Sequence, residues 1–227
     1  MLKLQNVSFE VKGEHAKKEI LRNIDLEIED KKFLVLTGPN GGGKSTLAKV
    51  IAGIEKPTSG KICLDNTDIT DLSVTERAKL GISFAFQQPV RFKGITVKDL
   101  IVLASGNPKL STVGACEYLS EVGLCARDYI NREVDSSLSG GELKRIEIAT
   151  VIARDTSLSV FDEPEAGIDL WSFNNLIRVF EKMHQEKERS IIIISHQERI
   201  LNIADEIVVI ADGTVQKKGS KEEILPG

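Results

Sequence analysis

The sequence predicts an α/β fold: a mostly parallel sheet with helices on its faces, an N-terminal antiparallel β subdomain and an inserted α-helical subdomain. Three observations carry this. Short apolar runs of strand length alternate with segments of helical period, which implies parallel strands joined by helices. The first thirty residues instead carry apolar residues at near-alternate positions around a polar, hairpin-like loop. Between about Pro89 and Arg154 the character changes to successive helical periods. The chain is therefore expected to be one domain over 1–227, with a core and β subdomain from 1–88 and 155–227 and a helical subdomain from 89–154.

The elements follow in order. Met1 to Phe9 and Ile20 to Ile28 place Leu2, Leu4, Leu21, Ile24, Leu26 and Ile28 at strand spacing, with Gly13 to Lys18 as the loop. Phe33 to Leu36 is fully apolar, the signature of a buried strand. It runs into a glycine-rich turn and then Leu47, Val50 and Ile51 at helical spacing. Lys61 to Leu64 reads as a strand, entered through a Pro-Thr-Ser-Gly turn. Ser73 with Glu76 predicts a capping box opening a helix that stops near Gly81. Ile82 to Phe86 is a strand. Thr96 to Ala104, Val113 to Val122 and Glu142 to Ala153 read as helices, with Gly123 as a stop. Leu158 to Phe161 is a strand, Leu170 to His184 a helix, Ser190 to Ile194 a strand and Gln197 to Ala204 a helix. Ile207 to Ile210 and Val215 to Lys217 close the chain as strands around an Asp-Gly turn.

Composition narrows the function. The 227 residues are 41% hydrophobic and 28% charged, close to globular averages, with a net charge of −4. That balance argues against a protein that coats phosphate backbone, so no nucleic-acid partner is expected. The aliphatic runs are far short of the ~20 residues that span a bilayer. No basic-then-apolar leader opens the chain, and a cytoplasmic location is expected. The three cysteines, Cys63, Cys116 and Cys125, lack metal-ligand spacing and read as reduced thiols.

Three motifs carry chemistry. Gly38, Pro39, Asn40, Gly41, Gly42, Gly43, Lys44 and Ser45 match G-x-x-x-x-G-K-[ST] between a buried strand and a helix. Glycines let backbone amides close around phosphates, and the helix N-terminus adds unpaired donors. Lys44 supplies a cation for the β and γ phosphates, and Ser45 a hydroxyl for Mg²⁺. Asp162 and Glu163 follow the Leu158 to Phe161 strand, where Asp162 can hold Mg²⁺ through water and Glu163 can polarise an attacking water. Ser159 departs from an all-apolar strand. Ser139, Gly140, Gly141 and Glu142 open the last helix of the insert as a second potential phosphate binder. One ATP does not need two cradles from one chain, so a head-to-tail pair of chains is expected, each lending this segment to the other's nucleotide.

With these motifs in this order, nearly the whole chain resembles the nucleotide-binding domain of the ABC ATPases, with a P-loop NTPase core. The residues that carry the resemblance are Gly38 to Thr46, Gln87, Leu138 to Glu142, Asp162 and Glu163, Gly167 to Asp169, and His196. The resemblance implies ATP hydrolysis with Mg²⁺. It also implies that Gln87 senses Mg²⁺ and joins the core to the helical subdomain. By the same resemblance Asp169 lies at the dimer interface and His196 contacts the γ-phosphate. His15 and His184 are expected to be structural or solvated. By spacing, Val11 occupies the place where the family stacks an aromatic residue on adenine.

Phe84 to Val90 and Ser139 to Arg145 resemble the SUF-type iron–sulfur cluster assembly ATPases, and the first expectation is therefore a partner scaffold protein of that system. The alternative is a membrane permease, as in ABC importers and energy-coupling-factor transporters, which would place the chain at the inner face of the membrane. Pro89 to Lys93 should line the partner contact in either case, with Arg91 and Phe92 as candidates. Lys144 is expected to pair with Glu163 in the isolated subunit and hold it inactive.

Overall fold

The computed structural model describes residues 1–12, 17–186 and 188–224. The chain opens on a hairpin of β1 (Leu2–Lys12) and β2 (Lys17–Ile28), then crosses to β3 (Phe33–Thr37) and α1 (Lys44–Ala52). It returns through β4 (Ser59–Leu64) and β5 (Thr67–Asp68), then α2 (Val74–Lys79) and β6 (Ile82–Ala85). Next come β7 (Phe92–Thr96), α3 (Val97–Ser105), α4 (Thr112–Glu121), α5 (Ala126–Tyr129), β8 (Glu133–Val134) and α6 (Gly140–Arg154). The last stretch is β9 (Leu158–Asp162), α7 (Leu170–Glu186), β10 (Ser190–Ile194), α8 (Glu198–Asn202), β11 (Glu206–Ala211), β12 (Thr214–Gly219) and α9 (Lys221–Ile224).

The central sheet has the order β12-β11-β3-β10-β9-β6 and is parallel except at its β11–β12 edge. The second sheet is antiparallel, in the order β2-β1-β4-β5. Side chains alternate across a strand, and the two faces of the central sheet feed two separate cores. Phe33, Val35, Phe161, Ile191 and Ile193 pack with α6 and α7. Leu34, Leu36, Val160, Ile192 and Ile194 pack with α1 and the antiparallel sheet. Burial on both faces is why these strands are continuous apolar runs. Ser159 is the polar exception. Its hydroxyl lies 3.3 Å from those of Ser83 and Thr156, so this fully buried group is satisfied by neighbouring side chains.

Local chemistry explains the helix starts. Ser73 with Glu76, Thr96 with Asp99 and Ser139 with Glu142 each form a reciprocal capping box. The structure differs from the expected pattern in the details. Lys17 and Lys18 belong to β2 rather than to the loop, whose remaining residues 13–16, His15 among them, lie outside the described residues. The expected helical stretch also contains the two-stranded β7–β8 pair, whose strands are too short and irregular to show a period. His184 is structural as expected, edge-on to Phe33 with ring centroids 5.5 Å apart. Among the described residues, no helix is long and apolar enough to cross a membrane.

Candidate functional site

The site forms at the carboxyl ends of β3, β9 and β10, where ligands bind in open parallel sheets. Residues Gly38 to Gly43 turn the chain from β3 into α1. Gly38 sits at φ 125°, and a Cβ there would lie 2.1 Å from the carbonyl oxygen of Ile210. Gly43, at φ 106°, closes the turn against Leu21. No other residue type fits these two positions without moving backbone or core. Lys44 is buried, and its Nζ donates to the carbonyls of Gly38 (2.7 Å) and Pro39 (2.9 Å). That burial holds its pKa below the usual lysine value. The first turn of α1 has no acidic residue, so its free amides and positive end face the site unopposed. A cavity of about 490 Å³ opens here, walled by Asn40, Gly41, Gly43, Lys44, Ser45 and Thr46, and by Lys18, Ile20, Gln87 and Glu163.

The carboxylates are placed by register. Asp162 ends β9 opposite Ile194 of β10. Asp162 is 2% exposed and its Oδ1 accepts a 3.0 Å bond from Ser45 Oγ. Burial raises its pKa above the usual carboxylate value. Glu163 takes a left-handed backbone at φ 45°. Its N–H donates to Ile194 O (3.1 Å), and its Oε2 accepts from Gln87 Nε2 (2.6 Å). His196 follows β10, its Nδ1 3.4 Å from Thr37 Oγ1 at the end of β3. The structure thus brings Gly38 to Thr46, Gln87, Asp162, Glu163 and His196 to one edge of the sheet.

It does not bring the second cradle there. Among the described residues, the cavity wall includes none of Ser139, Gly140, Gly141, Glu142 or Asp169. Ser139 caps α6, accepting from Glu142 N (3.3 Å) and donating its own N–H to Glu142 Oε2 (2.7 Å). Tyr129 donates its hydroxyl to the other Glu142 oxygen, and these bonds hold the Glu142 pKa down. A Cβ at Gly140 would point into open space, and one at Gly141 would lie 3.2 Å from the carbonyl oxygen of Gly167. The Ser139 to Gly141 turn therefore lies beside the Gly167 to Asp169 loop. Asp169 caps α7 through Trp171 N, Ser172 N and Ser172 Oγ.

One expectation fails. Lys144 does not pair with Glu163. It lies on the buried face of α6, where Nζ donates to the carbonyls of Phe86 and Gln87 (3.2 Å for the latter). Glu163 has turned to Gln87 instead. Val11 sits on β1 across from Lys18, which with Ile20 of β2 lines the cavity. Glu147, Glu165 and Ser195 were also missed. Glu165 is held by Ser195 Oγ (2.5 Å) and its pKa is raised by burial. The only sequence signal for them was a polar residue inside or next to an apolar run.

A second, apolar groove of about 170 Å³ lies on the helical side. Phe84, Phe86, Val90, Phe92, Leu143 and Ile146 are among its walls. Val90 and Phe92 fall within the stretch expected to meet a partner.

A family model described as "ABC transporter" matches residues 21–166. The chain belongs to the ABC transporter family. Its site is accordingly that of an ABC-type ATPase. Over 214 residues it is 40% identical to the "Uncharacterized ABC transporter ATP-binding protein MJ0035" of Methanocaldococcus jannaschii, covering 91% of this chain and 85% of that one. It is 33% identical to the "Energy-coupling factor transporter ATP-binding protein EcfA2" of Clostridium acetobutylicum, over 99% of this chain and 81% of the other. The fold matches the "dimeric structure of a post-hydrolysis state of the ATP-binding cassette MJ0796 bound to ADP and Pi" with a TM-score of 0.87. That match has 26% identity and covers 97% of this ABC ATPase and 99% of the cassette.

Proposed function

We propose that this ABC ATPase is the ATP-binding and ATP-hydrolysing subunit of a membrane transporter, working as a head-to-tail pair at the inner face of the membrane. The observation that carries the reading is the short path between its two cavities. Phe86 lines the apolar groove, and the next residue, Gln87, lines the nucleotide cavity and bonds Glu163. A helix of a membrane subunit seated in the groove would act on the site through that path. Similarity to two transporter ATP-binding proteins, MJ0035 and EcfA2, supports a permease partner over a SUF-type scaffold.

Within the site, the amides of Gly41 to Ser45 and the Lys44 ammonium take the β and γ phosphates. On binding, Lys44 exchanges its bonds to Gly38 and Pro39 for phosphate oxygens. Ser45, Asp162 and Gln87 form an oxygen donor set suited to a hard cation and would hold Mg²⁺, with the Ser45 hydroxyl already 3.0 Å from the carboxylate. Bound Mg²⁺ supplies charge neutralisation on the phosphates. Glu163 orients the attacking water and takes its proton, and His196 donates to the γ-phosphate. Ile20 and Lys18 of β2 complete the cavity wall. Ser139 to Glu142 and Asp169 serve the partner chain's nucleotide, which accounts for a glycine turn that stands apart from the cavity wall of its own chain. The MJ0796 cassette, a dimer with ADP and phosphate bound, supports the paired arrangement.

The SUF-type reading stands second. It is favoured by the resemblance of Phe84 to Val90 and Ser139 to Arg145. Affinity purification of the tagged chain from detergent-solubilised cells separates the two. A multi-span membrane protein that co-purifies in stoichiometric amount supports transport. A soluble scaffold in its place replaces the first reading with the second.

A further inference from the structure

Two buried charges outside the nucleotide cavity hold the segment that leads into it. Lys144 and Glu147 lie one turn apart on α6, with Nζ and Oε2 3.5 Å from each other. Their side chains are 1% and 14% exposed. Glu147 Oε1 accepts the N–H of Phe86 at 2.8 Å. Lys144 donates to the carbonyl of the same residue and to that of Gln87 at 3.2 Å, with the Asp162 carbonyl at 3.5 Å. β6 ends at Ala85, so beyond it Phe86 has no strand partner. Both of its backbone groups are satisfied by α6 instead.

Stability alone does not account for the pair. A buried ion pair gains little over well-packed apolar residues of the same volume, because desolvation offsets the attraction. What the charges add is direction. They fasten one short stretch of backbone at both polar groups, as an apolar contact cannot. The ring of that same residue lies in the apolar groove, edge-on to Phe84 with centroids 4.9 Å apart. The side-chain Nε2 of the following residue, Gln87, donates to Glu163 Oε2 at 2.6 Å.

We propose that Lys144 and Glu147 are positioning residues for ATP hydrolysis: they lock the backbone of Phe86 and Gln87 to α6, so that the helix and the occupant of the groove together set where Gln87 holds Glu163. Burial pushes the Lys144 pKa down and that of Glu147 up, and each charge offsets part of that shift in the other. The proposal rests on the reading of Glu163 as the group that activates water.

Steady-state kinetics of the purified chain test it with two double variants. Lys144→Met with Glu147→Leu keeps the volume and removes every bond to Phe86 and Gln87. Its kcat should fall about ten-fold, with KM for ATP within about three-fold of the parent. Lys144→Gln with Glu147→Gln keeps a donor for the carbonyls and an acceptor for the Phe86 N–H, and should recover most of that kcat. A merely structural pair would lower the melting temperature in both variants and leave kcat per folded molecule unchanged, and that result overturns the proposal. So does an equal loss in kcat from both doubles. Should the apolar double not fold, Glu147→Ala provides the measurement. It should lower kcat and speed hydrogen exchange at the Phe86 amide, and an unchanged exchange rate counts against the lock. Glu163→Gln, run alongside, checks the underlying reading. If turnover survives that change, the site assignment fails independently of the lock.

Discussion

The helix that presents Lys44 and Ser45 is tied down at its far end by one side chain, and replacing Arg77 measures that tie. Arg77 is 1% exposed. Its guanidinium donates to the carbonyls of Val50 (2.7 Å), Ile51 (2.8 Å), Thr70 (3.0 Å) and Leu72 (3.2 Å). Val50 and Ile51 are in the last turn of α1, whose carbonyls have no partner within the helix. Arg77→Met keeps the buried stem and removes the donors. Val50 O retains the N–H of Gly53 at 3.2 Å, so three carbonyls are left short. At about 1–3 kcal/mol each the gross cost is several kcal/mol, offset in part because a guanidinium no longer has to be desolvated. A net loss of about 3 kcal/mol follows, or roughly 6–12 °C in melting temperature for a domain of this size. Urea unfolding followed by circular dichroism reads the first figure and calorimetry the second. Arg77→Lys should fall between the two, since one ammonium cannot span four acceptors. ATP affinity well below the midpoint should not change, because the N-terminal turn of α1 is untouched. A loss under about 1 kcal/mol would refute the claim that this side chain anchors α1.

Three further outcomes are expected. Asp162→Asn should abolish hydrolysis and raise the melting temperature by about 2–4 °C for each kcal/mol of desolvation removed. Burial raises this carboxyl's folded pKa above its unfolded value, so ionising it costs stability in full above the folded pKa, and the cost disappears as the pH falls from there to the unfolded value. The advantage of the Asn variant should therefore be largest near neutrality and shrink in acid, as thermal melts across pH will show. Gly38→Ala, which places a Cβ 2.1 Å from Ile210 O, should lose ATP binding in calorimetric titration and lower stability by on the order of 2 kcal/mol. Trp171, the single tryptophan, is 82% exposed two residues after Asp169. In Glu163→Gln, ATP should blue-shift its emission and move the chain to dimer size on a sizing column; a monomer with unshifted emission argues against the composite site.

The legible parts of this protein are those where one physical constraint acts on a contiguous run. The apolar runs at Phe33 to Leu36 and Ile191 to Ile194 announce strands buried on both faces, and Ser73 with Glu76 announces a helix start. The glycine turn is legible because phosphate binding demands backbone amides in sequence. What could not be read depends on register or on contacts across long separations. Arg77 reads as an ordinary polar residue on a short helix, and only its four carbonyl partners, up to 27 residues away, reveal it. The pairing of Lys144 with Glu147 is equally invisible, although the two stand at i,i+3 on one helix. They are buried because the helical lobe folds over β6, which no local pattern states. The same fact redirects Lys144 from Glu163 to Phe86: a short reach inside a dry interface favours the nearest unpaired carbonyls over a carboxylate that already has a partner.

The backbone of Glu163 offers a final test of whether the site is held in place by its surroundings. A left-handed conformation costs a residue with a Cβ on the order of 1–2 kcal/mol. Here φ is 45°, and the neighbouring bonds impose it: Glu163 N–H to Ile194 O at 3.1 Å and Ala166 N–H to Glu163 O at 3.0 Å. Truncating the side chain to Ala or to Gly removes the same bond from Gln87, so the two variants differ only in the Cβ. In ordinary backbone Ala is the more stable of the two by about 0.5–1 kcal/mol, because Gly loses more entropy on folding. At a left-handed position the order reverses. Glu163→Gly should therefore melt above Glu163→Ala, by about 2–4 °C for each kcal/mol of relieved strain. If the Ala variant is the more stable, the glutamate is not held in this conformation in solution, and its alignment with Gln87 must then be created by nucleotide or partner instead of being built into the subunit.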